Sequence, residues 1–327
     1  MNIRRKLLVA IGIGSLAPLR SVAQQQPKVW RVGFLSGGPR SPDGLPPAAL
    51  RKSLEEFGYV QGRNLQYEGR WAQGNSARVP ELAAELVQSH VDVIVTLGWP
   101  AAQAAKNVTS SIPIVSAFAG DPVGTGLVTS LSRPGANLTG IADMAVDLAA
   151  KRMELLKETV PKASRVAVLW NQADLGMTSR YREIDRAART LGVTVQAHGV
   201  LQPADFDAAF AAMVRERPDA IFMISDVLTT ANRQRVIDFA DAHRIPAMFE
   251  FSANVESGGL MSYGPGFEDT FRRMALYVDR ILKGAKPGEL PMEQPTRFYL
   301  FVNQKAARAI SIKIPDSILL RADKVIE

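Results

Sequence analysis

The sequence predicts an α/β fold of two doubly wound, Rossmann-like lobes joined by a multi-strand hinge. Three observations predict it. Short runs rich in Val and Ile alternate with helical patterns from residue 30 onward. Several runs are apolar on consecutive residues, as in Val166-Ala167-Val168-Leu169, which suits parallel strands covered by helices on both faces. The runs of the first half recur in the second at an offset of about 130 residues, a repetition of architecture without residue identity.

Taken in order, residues 1–23 read as a secretory leader. Arg4, Arg5 and Lys6 form a basic start, Leu7–Leu19 a short apolar run, and Ser21-Val22-Ala23 a small-residue cleavage site before Gln24. The apolar run is too short to span a bilayer stably. The first-array strands are predicted at Trp30–Ser36, Leu65–Trp71, Val91–Leu97 and Ile114–Phe118. Leu50, Leu54 and Phe57 mark the first helix, which Gly58 stops; Val79, Leu82, Ala83, Leu86 and Val87 mark the second. Met153, Leu155, Leu156 and Val160 mark a helix ending at Pro161. The second-array strands are predicted at Arg165–Trp170, Thr194–His198, Ala220–Ile224 and Pro246–Phe249, with helices over Arg180–Leu191 and Phe206–Val214. A long helix at about 268–282, a strand around Arg297–Val302 and a helical tail follow. These surplus elements are read as chain crossings that complete each lobe. The division is 29–142 plus 252–288 for the N-terminal lobe and 143–251 plus 289–327 for the C-terminal lobe.

The 327 residues carry 39 Lys+Arg against 32 Asp+Glu, a formal charge of +7. Removal of residues 1–23 takes four basic residues and no acid, leaving +3. The remaining charge is scattered, with no basic block of the nucleic-acid-binding kind, so no nucleic-acid partner is expected. Zero cysteines exclude disulfides, thiolate metal sites, cysteine nucleophiles and a lipidated cysteine anchor. There is no Gly-x-Ser-x-Gly elbow, no His-Glu-x-x-His and no phosphate loop, since no Lys-Ser/Thr follows Gly120–Gly126. His90, His198 and His243 lack ligand spacing and are read as surface or capping residues. No cofactor, metal or catalytic residue is expected.

In open α/β sheets ligands bind beyond the carboxyl ends of the strands. That rule selects Ser36, Gly37 and Gly38 after the first strand, and Gly98, Trp99 and Pro100 after the third. It selects Asp121 after the fourth strand, either as an acceptor for a ligand ammonium or as a cap for a helix over 124–131. In the second array it selects Asn171 beside Trp170, and Ser225 with Asp226, the latter also a candidate cap for a helix near Thr229. Phe249 and Tyr263 complete the set. The aromatic residues near strand ends favour a ligand with a flat or apolar part, although packing explains them equally well.

The chain resembles ABC-transporter substrate-binding proteins of the tryptophan/tyrosine type, within the type I periplasmic-binding superfamily. The residues that carry the resemblance include Arg31-Val32-Gly33-Phe34-Leu35-Ser36, Glu56-Phe57-Gly58-Tyr59-Val60-Gln61-Gly62 and Gly120-Asp121-Pro122-Val123-Gly124-Thr125-Gly126. Val166–Asn171 and Gly258-Gly259-Leu260-Met261-Ser262-Tyr263-Gly264-Pro265 continue it. The resemblance implies a monomeric periplasmic receptor that binds a small, amino-acid-like or aromatic solute between its lobes and passes it to a membrane permease. In the relatives a run of serines after the second lobe's first strand holds the amino-acid head group. Here that stretch reads Asn171-Gln172-Ala173-Asp174-Leu175-Gly176-Met177, which points away from an identical head-group site. The alternative is a periplasmic sensor or enzyme that uses Asp121 and Asp226 as an acid–base pair.

Overall fold

A computed structural model of the chain describes residues 28–142 and 144–327. The expected leader and its cleavage point lie outside the described residues. None of the described helices is long and apolar enough to cross a membrane.

The first array runs β1 (Trp30–Ser36), α1 (Ala48–Glu56), β2 (Leu65–Trp71), α2 (Val79–Gln88), β3 (Val93–Leu97), α3 (Trp99–Val108), β4 (Ile114–Ala117) and β5 (Leu138–Ile141). Its five strands are parallel, in the order β2-β1-β3-β4-β5. The second array runs α4 (Ala145–Thr159), β6 (Arg165–Asn171), α5 (Leu175–Thr190), β7 (Thr194–Val200), α6 (Asp205–Glu216) and β8 (Ala220–Met223). It continues through α7 (Val227–Ala231), α8 (Arg233–Ala242), β9 (Ala247–Phe249), α9 (Ser252–Glu256) and β10 (Met261–Pro265). The chain then forms α10 (Phe267–Leu282), β11 (Phe298–Asn303), α11 (Gln304–Ala309), α12 (Asp316–Leu319) and β12 (Lys324–Ile326). The second sheet begins β7-β6-β8-β9-β10, the same order as the first, and adds antiparallel β11 and then β12. The repeated offset in the sequence is thus a repeated topology.

Consecutive apolar residues in the inner strands divide between two cores. Val32 and Phe34 of β1 and Val93 and Val95 of β3 face α1 and α10, whereas Leu35 and Ile94 face α2 and α3. In the second lobe Val166, Val168 and Trp170 face one core and Ala167 and Leu169 the other. Alternate side chains point to opposite faces, so a strand buried on both faces must be apolar throughout.

The sequence reading lacks β10 and β12, the latter a strand at the end of the expected helical tail, and it lacks β5. β5 pairs with β4, and Gly140 at φ +142° lies so close to it that a Cβ would stand 2.0 Å from the Ser116 carbonyl oxygen. The lobe boundary also differs from expectation. Residues 252–265, assigned to the N-terminal lobe, stay with the second sheet, because β10 pairs with β9 and β11. Only α10 crosses back. Its Phe271, Met274 and Val278 join the first-lobe core, and the Tyr59 hydroxyl donates to Asp279 Oδ1 at 3.0 Å. The return path stays with the first lobe through Glu293. Thr139 Oγ1 donates to the Leu290 carbonyl at 2.8 Å, and the Ala142 amide donates to that of Glu293 at 2.9 Å. Among the described residues the chain passes between the lobes at Pro265–Gly266 and after Glu293.

Candidate functional site

A cleft of about 440 Å³ lies between the lobes at the carboxyl ends of β1, β3, β6 and β8. That volume falls in the range of small-molecule sites, roughly 300–1,000 Å³.

On the first-lobe side, Ser36, Gly37 and Gly38 line the cleft. Ser36 Oγ accepts the Gly38 amide at 3.1 Å. The carbonyls of Gly37 and Gly38 accept the amides of Gly74 and Gln73 at 2.8 and 2.9 Å, which locks the turn after β1 to the turn after β2. Gly98 and Pro100 line the cleft at the start of α3, and the Gly98 amide is held by the Ala117 carbonyl at 2.9 Å. The next stretch, Pro39–Pro47, contributes Arg40, Leu45 and Pro47, with Arg40 above the Trp71 ring. The sequence reading passed over this stretch, although its four prolines and three glycines between Gly37 and Pro47 mark a fixed loop rather than a helix.

On the second-lobe side, Asn171, Ser225 and Asp226 line the cleft. Asn171 Nδ2 donates to Asp226 Oδ2 at 2.6 Å, which joins the turns after β6 and β8. Asp226 is also the N-cap of α7. Its Oδ1 accepts the Thr229 amide at 2.8 Å, while Thr229 Oγ1 accepts the Asp226 amide at 2.9 Å, a reciprocal capping box. Both roles anticipated for Asp226, cap and cleft residue, fall on one side chain. Asp174, not selected from the sequence, lines the cleft beside it and caps α5, accepting the Gly176 and Met177 amides at 2.8 and 3.2 Å. Burial, and then the nearby charge of Asp226, push its carboxyl up to about 7 against those two bonds.

Beneath these turns lies Glu250, fully buried. Its carboxylate takes Arg152 Nη1 at 2.9 Å, Arg180 Nη1 at 2.8 Å and the Ser225 amide at 2.9 Å. Arg152 Nε also donates to the Tyr263 carbonyl at 2.6 Å. The network ties the turns after β8 and β9 to α4, α5 and β10.

Aromatic rings form the end of the cleft nearest the crossings. Phe118 follows β4, Phe251 follows β9 and Phe267 opens α10, and all three line the cleft. Phe118 meets Phe251 edge-on at 5.5 Å and Phe267 at 5.2 Å. Phe118 sits at φ +58°, a costly conformation for a bulky residue. The ring contacts across the lobe boundary hold it there.

Four selected residues stand elsewhere. Trp99 packs against the α2–α3 core of the first lobe. Asp121 does not line the cleft; its Oδ1 accepts the Val123 and Gly124 amides at 3.1 and 2.9 Å. No helix spans 124–131, so Asp121 closes a turn instead of capping a helix, and the acid–base pair with Asp226 is not assembled in the cleft. Phe249 is fully buried in the second-lobe core, and Tyr263 packs against that lobe's other core. Their place near strand ends is shared with the cleft residues, but strand alternation turns them into the cores. Trp170 likewise stacks on Tyr181 at 4.0 Å. His198, expected as a surface or capping residue, is only 6% exposed and lies beside Glu216. Among the described residues no group of three or more His, Asp or Glu is placed to hold a metal ion.

The sequence model for ABC transporter substrate-binding proteins matches residues 47–326. The chain belongs to that family. This substrate-binding protein is 27% identical to a tyrosine-binding protein of Clostridioides difficile over 80% of its own length and 75% of that protein's. It is 26% identical to a Streptococcus pneumonia domain solved in complex with L-Trp, with a TM-score of 0.84 over 91% of this chain and 100% of that one. Against the ligand-free, open structure of a Clostridium difficile substrate-binding protein with adhesive properties, the TM-score is 0.62 at 25% identity, over 91% and 99% of the two chains. At nearly equal identity and coverage, the lobes overlay the complex much better than the open form.

Proposed function

We propose that this protein is the exported receptor of an ABC importer. It captures a small amino-acid-like or aromatic solute in the interlobe cleft and delivers it to a permease in the cytoplasmic membrane. The observation that carries this reading is the cleft, whose walls come from both lobes and combine aromatic rings with a few fixed polar groups. A ligand that touches both walls stabilises the approached lobes through contacts the open state lacks. The relatives named for tyrosine and L-tryptophan support an aromatic amino-acid-like ligand. No catalytic residue is part of the proposal: the cleft selects and releases, and the permease recognises the lobe surfaces of the closed form. In this reading the leader is removed near Ala23 and the protein works in the periplasm as a monomer without cofactor.

A thermal-shift screen of amino acids, aromatic acids, sugars and nucleosides on the chain from Gln24 onward tests it. A ligand at a hundred times its dissociation constant adds about 2.7 kcal/mol to stability. A reversible rise in melting temperature for one chemical class is expected. Chemical turnover of the compound that binds would overturn the receptor reading.

A further inference from the structure

We propose that Asp174 and Asp226, with the Ser225 hydroxyl, form a cation-recognition subsite, so that the ligand carries a protonated amine on an apolar body. This rests on the receptor reading and names the class of ligand.

The βα turns of two strands adjacent in the sheet bring the three groups to one wall of the cleft, Asp174 after β6 and Ser225-Asp226 after β8. Among the described residues neither carboxylate has an ion-pair partner. The two arginines that line the cleft are engaged otherwise. Arg40 lies over Trp71, and Arg233 donates to Ser257 Oγ and the Thr230 carbonyl. Ser225 is 4% exposed, yet its Oγ has no hydrogen-bond partner among the described residues. A buried hydroxyl without a partner and two adjacent carboxylates without a countercharge are together what a primary ammonium satisfies, with three N–H donors and one positive charge. Trp71 and Leu97 of the first lobe, with Phe118, Phe251 and Phe267 at the crossing end of the cleft, supply apolar surface for the body that carries the amine.

Capture through this subsite is coupled to a proton. The groups that act on Asp174 are the Asp226 carboxylate and the Gly176 and Met177 amides of its own helix start; Arg40 and Arg233 are the other charges of the cleft. Its raised carboxyl holds a proton through the weakly acidic range. An ammonium favours the ionised form, so binding expels that proton, and affinity rises with pH from about 6 to 8.

The test uses matched probes on the mature chain: 2-phenylethylamine, L-phenylalanine, 3-phenylpropionate and 3-phenylpropan-1-ol, with tryptamine, L-tryptophan and indole-3-propionate as a second set. Calorimetric titration is expected to show binding by amine-bearing members and none by the acid or alcohol. Asp226→Asn and Asp174→Asn each retain a good N-cap and are expected to weaken the amine by about 10- to 100-fold. Titration at pH 6 in buffers of different ionisation heat is expected to show proton release that disappears in Asp174→Asn. Equal binding of acids or alcohols, or unchanged affinity in both variants, overturns the subsite and leaves the receptor reading standing. Failure of every probe, together with a blank broad screen, overturns both.

Discussion

A Cβ placed on Gly120 of the first lobe would stand 3.0 Å from the Cα of Gly176 in the second, and one placed on Gly176 would stand 3.1 Å from the Ala119 carbonyl oxygen. Backbone meets backbone at this point of the lobe boundary, and the neighbour is not a flexible side chain that can step aside. Gly176→Ala therefore moves two quantities in opposite directions. It stabilises the start of α5, where Ala is better than Gly by up to about 1 kcal/mol, and it holds the lobes apart. The expected outcome is an unchanged or higher melting temperature without ligand and at least a tenfold loss of ligand affinity. Small-angle scattering of the variant with ligand is expected to retain the larger radius of gyration of the open form. Wild-type affinity in Gly176→Ala would refute the contact as a feature of the closed state.

Glu250 is the anchor of the second-lobe turns. Glu250→Ala leaves the Arg152 and Arg180 guanidinium groups facing an emptied buried site. Removing one partner of a buried ion pair costs about 3–5 kcal/mol. Urea unfolding is expected to show a loss of that size, against less than about 0.5 kcal/mol for an exposed substitution such as Lys286→Ala.

Asp226 separates capping from charge. Asp226→Ala removes the α7 cap and the acceptor for Asn171, an expected loss of about 1 kcal/mol in chemical denaturation. Asp226→Asn keeps a capping oxygen but turns its amide nitrogen toward Asn171 Nδ2, and is expected to recover only part of that loss. Equal losses in the two variants would place the effect in the charge instead.

Asp174 makes stability depend on pH. In the unfolded chain its carboxyl titrates near 4, and in the fold it is pushed up to about 7. The fold therefore holds the proton more tightly. The contribution is most favourable below about pH 4 and is lost as pH rises through about 7. In Asp174→Asn this dependence is absent. The difference in melting temperature between variant and parent is expected to favour the variant more at pH 8 than at pH 5. A constant difference across that range would contradict the burial of an ionisable Asp174.

Strand and helix positions were legible in the chain because burial on two faces imposes a local pattern. β1, β2, α10 and both arrays could be read from apolar runs and periodic stripes alone. β5 was hidden in a segment of glycines and prolines, where the pattern of Leu138–Ile141 is only four residues long. β10 was read as part of a chain crossing and not as a strand, because its pairing with β9 and β11 is a long-range choice.

The candidate site divides in the same way. The sequence by itself determined where strands end, and hence that Ser36, Gly98, Asn171, Ser225 and Asp226 stand at one edge of their sheets. Only the tertiary structure decided which of the neighbouring side chains open into a shared cleft. Phe118, Phe251 and Phe267 meet because three distant segments converge at the crossings. Asp174 joins Asp226 because two turns are held together by Asn171. Trp99, Phe249 and Tyr263 carry the same residue chemistry one strand-side or one turn away, and their rings pack into the cores. A local pattern reports the period of a strand or helix. Which faces meet depends on contacts between residues far apart in the chain, and those the period does not encode.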